Sequence, residues 1–166
     1  MSKPFLTWTN NICWENNPRY ITAWQNGSTG YPIIDASMRQ LKQTGWLHNR
    51  LHWRIGEKYF LSHLIDGNLS SNNGGWQWSA STGTDSTPYF RIFNPVLQGK
   101  KFDYYGNFIR NWIPELSHIP NRYIHFPHDW AIEKNIKINY PDPIIEYKTS
   151  YTKFYKAYLY AKNNLK

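Results

Sequence analysis

A single cysteine, Cys13, stands in the 166 residues, so no disulfide can form within the chain, which fits a reducing compartment. No apolar run approaches the ~18 residues of a membrane-spanning helix, and the N-terminal MSKPFLTWTNNICW lacks the apolar block of a secretory signal. The expectation is a cytoplasmic protein with no membrane partner. Acidic side chains are scarce: 11 Asp+Glu face 19 Lys+Arg, for a net charge of +8. That excess suits an anionic partner such as nucleic acid, although basic surface can also be merely solubilising. Neither a Gly-x-x-x-x-Gly-Lys-Ser/Thr loop nor a strand followed by Gly-x-Gly-x-x-Gly occurs, so the common phosphate-cradling motifs are excluded. No internal repeat and no period-two strand series appear, and the length suits one domain.

What is abundant is aromatic: 18% of the chain, including nine tryptophans. The 29 residues Asp66–Asn94 (DGNLSSNNGGWQWSASTGTDSTPYFRIFN) are mostly Gly, Ser, Thr, Asn and Asp, too polar for a core. Yet they hold Trp76 and Trp78. Irregular segments of this length are usually functional, and two flat side chains among amides and hydroxyls suggest a wall for another flat molecule. The competing reading is that both tryptophans plug the underside of an Ω-loop. Trp53 follows Arg50 and His52, and Trp76 and Trp78 share their loop with Arg91. Cations interleaved with aromatic faces are what an unstacked base requires.

The rest reads as helix and irregular chain. Residues 1–30 suggest irregular chain with short helical turns. Pro32 opens a helix with Asp35 at its positive end and Ile34, Met38 and Leu41 on one face, which Gly45 ends after Lys42. Residues 46–53 predict a short helix, and Glu57–Ile65 another, with Tyr59, Phe60, His63 and Leu64 on one side and Asp66-Gly67 as its stop. Asn107–Trp112 predicts a brief helix before Pro114. Residues 117–148 carry Pro120, Pro127, Pro141 and Pro143 and predict extended chain wrapping a surface. The tail predicts an amphipathic helix with Tyr151, Phe154, Tyr155, Tyr158 and Leu159 facing one way. His48 and His52 have the spacing of a metal pair, but Asn49 occupies the place of the needed Glu and no third ligand is signalled, so no metal is expected. His118, His125 and His128 are expected to be surface or core hydrogen-bonding groups. The fold class is all-α with long irregular loops.

TGYPIIDASMRQLKQTGWLHNRL, the Asp66–Asn94 block and QGKKFDYYGNFIRNWIPEL together resemble the C-terminal, FAD-binding half of the DNA photolyases, best the bacterial cyclobutane-dimer class, from about Trp8 to the end. The resemblance implies a helical FAD-binding domain, here in part, and light-driven repair of pyrimidine dimers in ultraviolet-damaged DNA by a monomer. It places Asp66, Gly67 and Asn68 on the flavin pocket and Asn72 near the flavin N5. It assigns Trp76, Trp53 and Trp14 to an electron-transfer chain, Trp76 innermost. It sets Asn49 and Arg50 of HNR on the lesion strand, Trp78 on the flipped dimer, and Arg91 and Gln98 on nearby DNA. A flavin light sensor of the cryptochrome type and a non-catalytic DNA-binding remnant are the alternatives.

Relative to that family, the N-terminal antenna domain and the first half of the flavin domain are expected to be absent, so no antenna chromophore is expected. Against the family pattern about 14 residues, roughly four helical turns, are expected to be missing between His52 and Trp53. His52 replaces the family's arginine and Asn68 a common aspartate.

Overall fold

The computed structural model describes residues 7–12, 17–46, 59, 62–64 and 93–164, and every regular element among them is helical. The chain divides into two compact units. One comprises Met1–Asn16, His48–Ile92 and Ile145–Lys166; the other comprises Asn17–Leu47 and Phe93–Ile144.

The second unit is built on five α-helices: α1 (Pro18–Gln25), α2 (Pro32–Thr44), α3 (Pro95–Phe102), α4 (Asn107–Trp112) and α5 (Pro127–Lys134). Local chemistry sets most of their ends. Asn17 precedes α1 and accepts from the Arg19 amide at 3.0 Å, with Pro18 at the first position, where its missing N–H is no loss. Pro32 opens α2 and Gly45 closes it in the left-handed region (φ 66°), as the sequence suggested. The inward face of α2 differs by one position: Ile33, Ala36, Met38 and Leu41 are buried, whereas Ile34 is only half-buried. This helix packs on α1, α3 and α4. Ile109, Ile113, Leu116, Ile119 and Ile124 complete the core, each worth about 1.5–3 kcal/mol when fully withdrawn from water.

Two expectations for this part of the chain are corrected. The segment 117–148 is not extended throughout, because it contains α5. Pro127 stands at the start of that helix, Asp129 in its first turn and Lys134 in its last, and Asn135 caps it with φ 51°. Ile136 N–H then donates back to the Ala131 carbonyl at 3.0 Å, a Schellman-type closure. Four prolines looked like helix breakers, whereas one of them is a helix start. Residues 1–30, expected to be irregular with short helical turns, include the two-turn α1.

Asp35 holds α2 to its surroundings. Fully buried, its carboxylate accepts from the Thr29 amide (2.8 Å), the Thr29 hydroxyl (2.7 Å) and the Gly30 amide (3.1 Å). A fourth hydrogen bond comes from the Tyr140 hydroxyl. Burial pushes this carboxyl above its ordinary pKa despite the four hydrogen bonds that act the other way. It pushes the Tyr140 phenol up as well, reinforced by the Asp35 charge. Chain 140–144 is thereby pinned beside the start of α2, and Ile144 N–H donates to the Thr29 carbonyl at 3.0 Å. Gly30 sits at φ +80°, and a Cβ there would lie 2.5 Å from the Asp142 carbonyl carbon and from the Pro143 nitrogen. On the next turns of α2, Arg39 pairs with Glu115 at 2.6 Å. Its guanidinium also reaches the Gly27 and Trp112 carbonyls, each at 3.4 Å.

In the first unit, a 3-10 turn at Thr7–Asn11 packs on the long α6 (Tyr147–Asn163). Ile12, Tyr158 and Ala161 are buried, with Trp8, Phe154 and Ala157 against them. The Trp8 and Tyr158 rings meet edge-to-face at 5.0 Å. The tail helix exists as expected, but its inward face is rotated: Tyr151, Tyr155 and Leu159 are exposed. Of the helix expected over Glu57–Ile65, Tyr59, Ser62 and His63 are helical, and Tyr59 and His63 stack at 4.0 Å. Phe60 lies outside the described residues, as does the helix expected over 46–53 beyond Trp46.

Gly30→Ala combines left-handed strain of about 1–2 kcal/mol with an overpacking cost of about 1–3 kcal/mol. The expected loss is about 2–5 kcal/mol, seen as a lower urea midpoint at unchanged m-value. The Arg39–Glu115 pair sets a pH dependence. Partial burial would raise the Glu115 carboxyl, but the hydrogen bond and charge of Arg39 hold it below its ordinary 4.5. A depressed acid stabilises above its unfolded pKa and loses that contribution as pH falls through the folded value. The stability advantage of the native chain over Glu115→Gln should therefore shrink as pH drops below 4.5. An advantage that stays constant on acidification would refute this role.

Candidate functional site

Of the residues expected to carry function, the described part of the chain contains Gln98. Asp66, Gly67, Asn68, Asn72, Trp14, Trp53, Trp76, Asn49, Arg50, Trp78 and Arg91 all lie outside it. Gln98 is half-buried in the first turn of α3, and local chemistry fixes that turn. Asn94, the last residue of the polar block, accepts through its side-chain oxygen from the Val96 amide (2.9 Å) and the Leu97 amide (3.2 Å). Pro95 occupies the first helical position. Gln98 N–H then donates to the Asn94 carbonyl at 2.9 Å. Asn94 thus ends the long loop and starts a helix, an arrangement that N-cap chemistry favours.

Behind α3 lies His125, almost fully buried. Gly99 makes room for it, since a Cβ at that position would stand 2.7 Å from His125 Nδ1. The ring's Nε2 faces the Tyr104 carbonyl at 3.4 Å. A carbonyl only accepts, so Nε2 carries the proton and Nδ1 is left as a bare acceptor in the neutral ring. Burial pushes the imidazole pKa down, which favours that neutral form. His128 is buried too, with Nε2 at 3.3 Å from the Gly30 carbonyl. Both histidines are core hydrogen-bonding groups, as expected, while His118 is exposed. No group of three metal-ligating side chains occurs among the described residues, and no described helix is long and apolar enough to cross a membrane.

Residues 1–159 match the family described as the FAD binding domain of DNA photolyase. The chain belongs to that family. It is 52% identical to the deoxyribodipyrimidine photo-lyase of Escherichia coli, over 94% of this chain and 36% of that protein. It is 53% identical to the corresponding protein of Buchnera aphidicola from Acyrthosiphon pisum, over 99% of this chain and 38% of the relative. Among solved structures, the class III photolyase of Agrobacterium tumefaciens superposes with a TM-score of 0.88 at 37% identity, covering 98% of this chain and 38% of the other. A Synechocystis cryptochrome superposes with a TM-score of 0.79 at 30% identity, over 89% and 34% respectively. The all-α class agrees with these neighbours, and FAD is the cofactor of the family.

The chain spans a little over one third of these photolyases. The Escherichia coli alignment runs over 170 positions, whereas 94% of this chain is about 156 residues, so about 14 positions have no residue here. The same comparison with the Buchnera photolyase, 184 positions against about 164 residues, leaves about 20. The first of these totals equals the number of residues expected to be lost.

Replacing the cap shows how firmly it holds Gln98 in place. Asn94→Ala removes the side-chain acceptor for two amides and should cost about 1 kcal/mol. Hydrogen exchange at the Val96 and Leu97 amides should rise, and unchanged protection there would show that the cap is dispensable.

Proposed function

We propose that this chain is a C-terminal portion of a photolyase FAD-binding domain and that it serves light-driven repair of pyrimidine dimers in DNA. The observation that carries this reading is the family match across residues 1–159, joined to 52% identity with a deoxyribodipyrimidine photo-lyase over 94% of the chain. The donor set fits a flavin. Asp66, Asn68 and Asn72 would offer carboxylate and amide groups to a ring edge that mixes donors and acceptors, and a glycine such as Gly67 would permit close approach. Bound and reduced, FAD supplies the excited electron for ring opening, since a cofactor carries chemistry of this kind and the protein orients it.

The remaining work falls to this chain. Trp76, Trp53 and Trp14 are proposed as the electron path that keeps the flavin reduced. Trp78 offers an indole face to a base taken out of the stack, the manoeuvre by which photolyases reach their target. Asn49, Arg50, Arg91 and Gln98 would hold the damaged strand. Contacts of this sort fix register and add salt-dependent affinity without reading sequence, which suits recognition of a lesion over a base order. The alternative of a flavin light sensor has structural support in the cryptochrome neighbour, but at 30% identity against 52% for the photolyase relative.

The test is to purify the chain, add FAD, remove the excess by gel filtration, reduce the bound flavin and illuminate with an oligonucleotide containing one thymine dimer. Retained flavin and light-dependent loss of dimers are expected, with both signals reduced at least tenfold in Asn72→Ala. Flavin retained without repair would favour the sensor. A chain that emerges with no flavin absorption overturns the reading.

A further inference from the structure

The buried ring of His125 stands between α3 and the turn Asp103–Gly106 that follows it. On one side it bears on Gly99, where a Cβ would lie 2.7 Å from Nδ1 and 3.5 Å from Cε1 and Cγ. On the other, Nε2 meets the Tyr104 carbonyl at 3.4 Å. Its neighbour Ile124 presses on Gly106, where a Cβ would lie 2.6 Å from the Ile124 side chain. The turn itself is held through its backbone, since the Tyr104 and Tyr105 side chains are exposed. The Asp103 amide donates to the Gly99 carbonyl at 2.8 Å, and the Gly106 amide to the Asp103 carbonyl at 2.7 Å. Arg110 gives a guanidinium hydrogen to the Tyr105 carbonyl.

Nδ1 is the exception in this well-satisfied region. It is buried and finds no hydrogen-bond partner among the described residues. In the neutral ring it is an unused acceptor, which the site tolerates. In the protonated ring it becomes a donor, pressed against Gly99 with no acceptor in reach. A buried charge with an unmet donor is the costly case. The surrounding charges do not compensate. Lys100 on α3 and Arg110 on α4 oppose an imidazolium, and Asp103 in the turn favours it. The Asp103 carboxylate is committed to the Phe108 and Ile109 amides at 3.0 and 2.9 Å. On the histidine's own segment Arg122 adds a further cation above the Tyr123 ring. Glu133 accepts from the Tyr123 hydroxyl, and His128 faces the Gly30 carbonyl.

We propose that His125 is a proton-operated wedge: neutral, it seats α3 and the following turn on the core, and protonated, it leaves that seat and α3 loosens. A released ring meets water and takes its proton near the ordinary 6.5, whereas the seated ring resists one. Acid therefore draws the equilibrium towards release. The seat is at full strength above pH 6.5 and weakens as pH falls below it. The helix that loosens carries Gln98; any consequence for the damaged strand rests on the proposed function, whereas the wedge does not.

The experiment is amide hydrogen exchange of the full chain between about pH 7.5 and about pH 5.5, expressed as protection so that the intrinsic pH dependence of exchange cancels. A nitrogen NMR titration of the histidine rings accompanies it. Protection of the Gln98 and Asp103 amides should fall by up to about tenfold across that range. The Asn26 and Ser28 amides, which close α1 at 3.0 and 2.9 Å, should keep theirs. The His125 ring should carry its proton on Nε2 and titrate below 6.5. His125→Gln keeps a donor for the Tyr104 carbonyl without a titrating group, so its α3 protection should not respond to pH. Gly99→Ala should lower that protection at the higher pH already. A ring that titrates at or above 6.5 overturns the proposal, as does level protection in the native chain or an equal fall in His125→Gln. So does a fall shared by the α1 amides, which would mean that the whole unit loosens. Should His125→Gln fail to fold, the ring titration decides alone. Neither FAD nor DNA enters the measurement, so its failure leaves the proposed function standing.

Discussion

The buried carboxylate of Asp35 is the constraint on which the second unit depends. It sits in the first turn of α2, accepts hydrogen bonds at both oxygens, and draws together three pieces of chain: the Thr29-Gly30 turn, the helix itself and the strap that carries Tyr140. Withdrawing a carboxylate from water is costly unless partners replace the lost hydration. Here the Thr29 and Gly30 amides and the Thr29 and Tyr140 hydroxyls do so. The arrangement specifies more than it stabilises. An apolar residue at position 35 would fill the space without dictating which turn and which strap close over it. That specificity also explains Gly30: with the turn drawn onto the carboxylate and the strap drawn onto the turn, no volume is left for a Cβ.

Much of this was legible in the string, though not all for the right reason. Pro32 and Gly45 mark the limits of α2 because each acts within one turn of backbone, and local chemistry of that kind survives into the fold. Asp35 was legible as a helix-start acid, which is true of its position but misses its function. That function needs Tyr140, 105 residues away, and no local pattern reports such a partner. Helix α5 is hidden in the sequence because Pro127 reads as a breaker. The same missing N–H that disrupts a helix interior is harmless at its first position. Helix α3 was likewise not anticipated, although Asn94-Pro95 is a cap followed by a helix-starting proline. On α6 the aromatic residues exceed what one face can bury, so hydrophobicity alone could not choose which of them turn inward.

The site was legible by a different route. Composition and spacing pointed to a flat ligand beside a polar loop with two indoles, and no further. The identity of that ligand came from long motifs shared with a family, and the match over residues 1–159 bears that resemblance out. The turn at Tyr104-Tyr105, between α3 and α4, shows the complementary limit. Its residues stood within one of those motifs, yet nothing in their order says that their carbonyls are tied down by His125 and Arg110, or that their rings therefore face water.

The division of the chain gives the apparent loss of about 14 residues a specific consequence. Its expected place, between His52 and Trp53, falls in the segment His48–Ile92, which belongs to the first unit together with every proposed flavin and electron-transfer residue. The second unit draws its core and its Asp35 cluster wholly from Asn17–Leu47 and Phe93–Ile144. A whole domain is stable by only about 5–15 kcal/mol, so any loss of contacts falls hardest on the unit in which it occurs. The proposed DNA contacts Asn49, Arg50, Trp78 and Arg91 fall in the same unit as the proposed flavin residues, and Gln98 falls in the second.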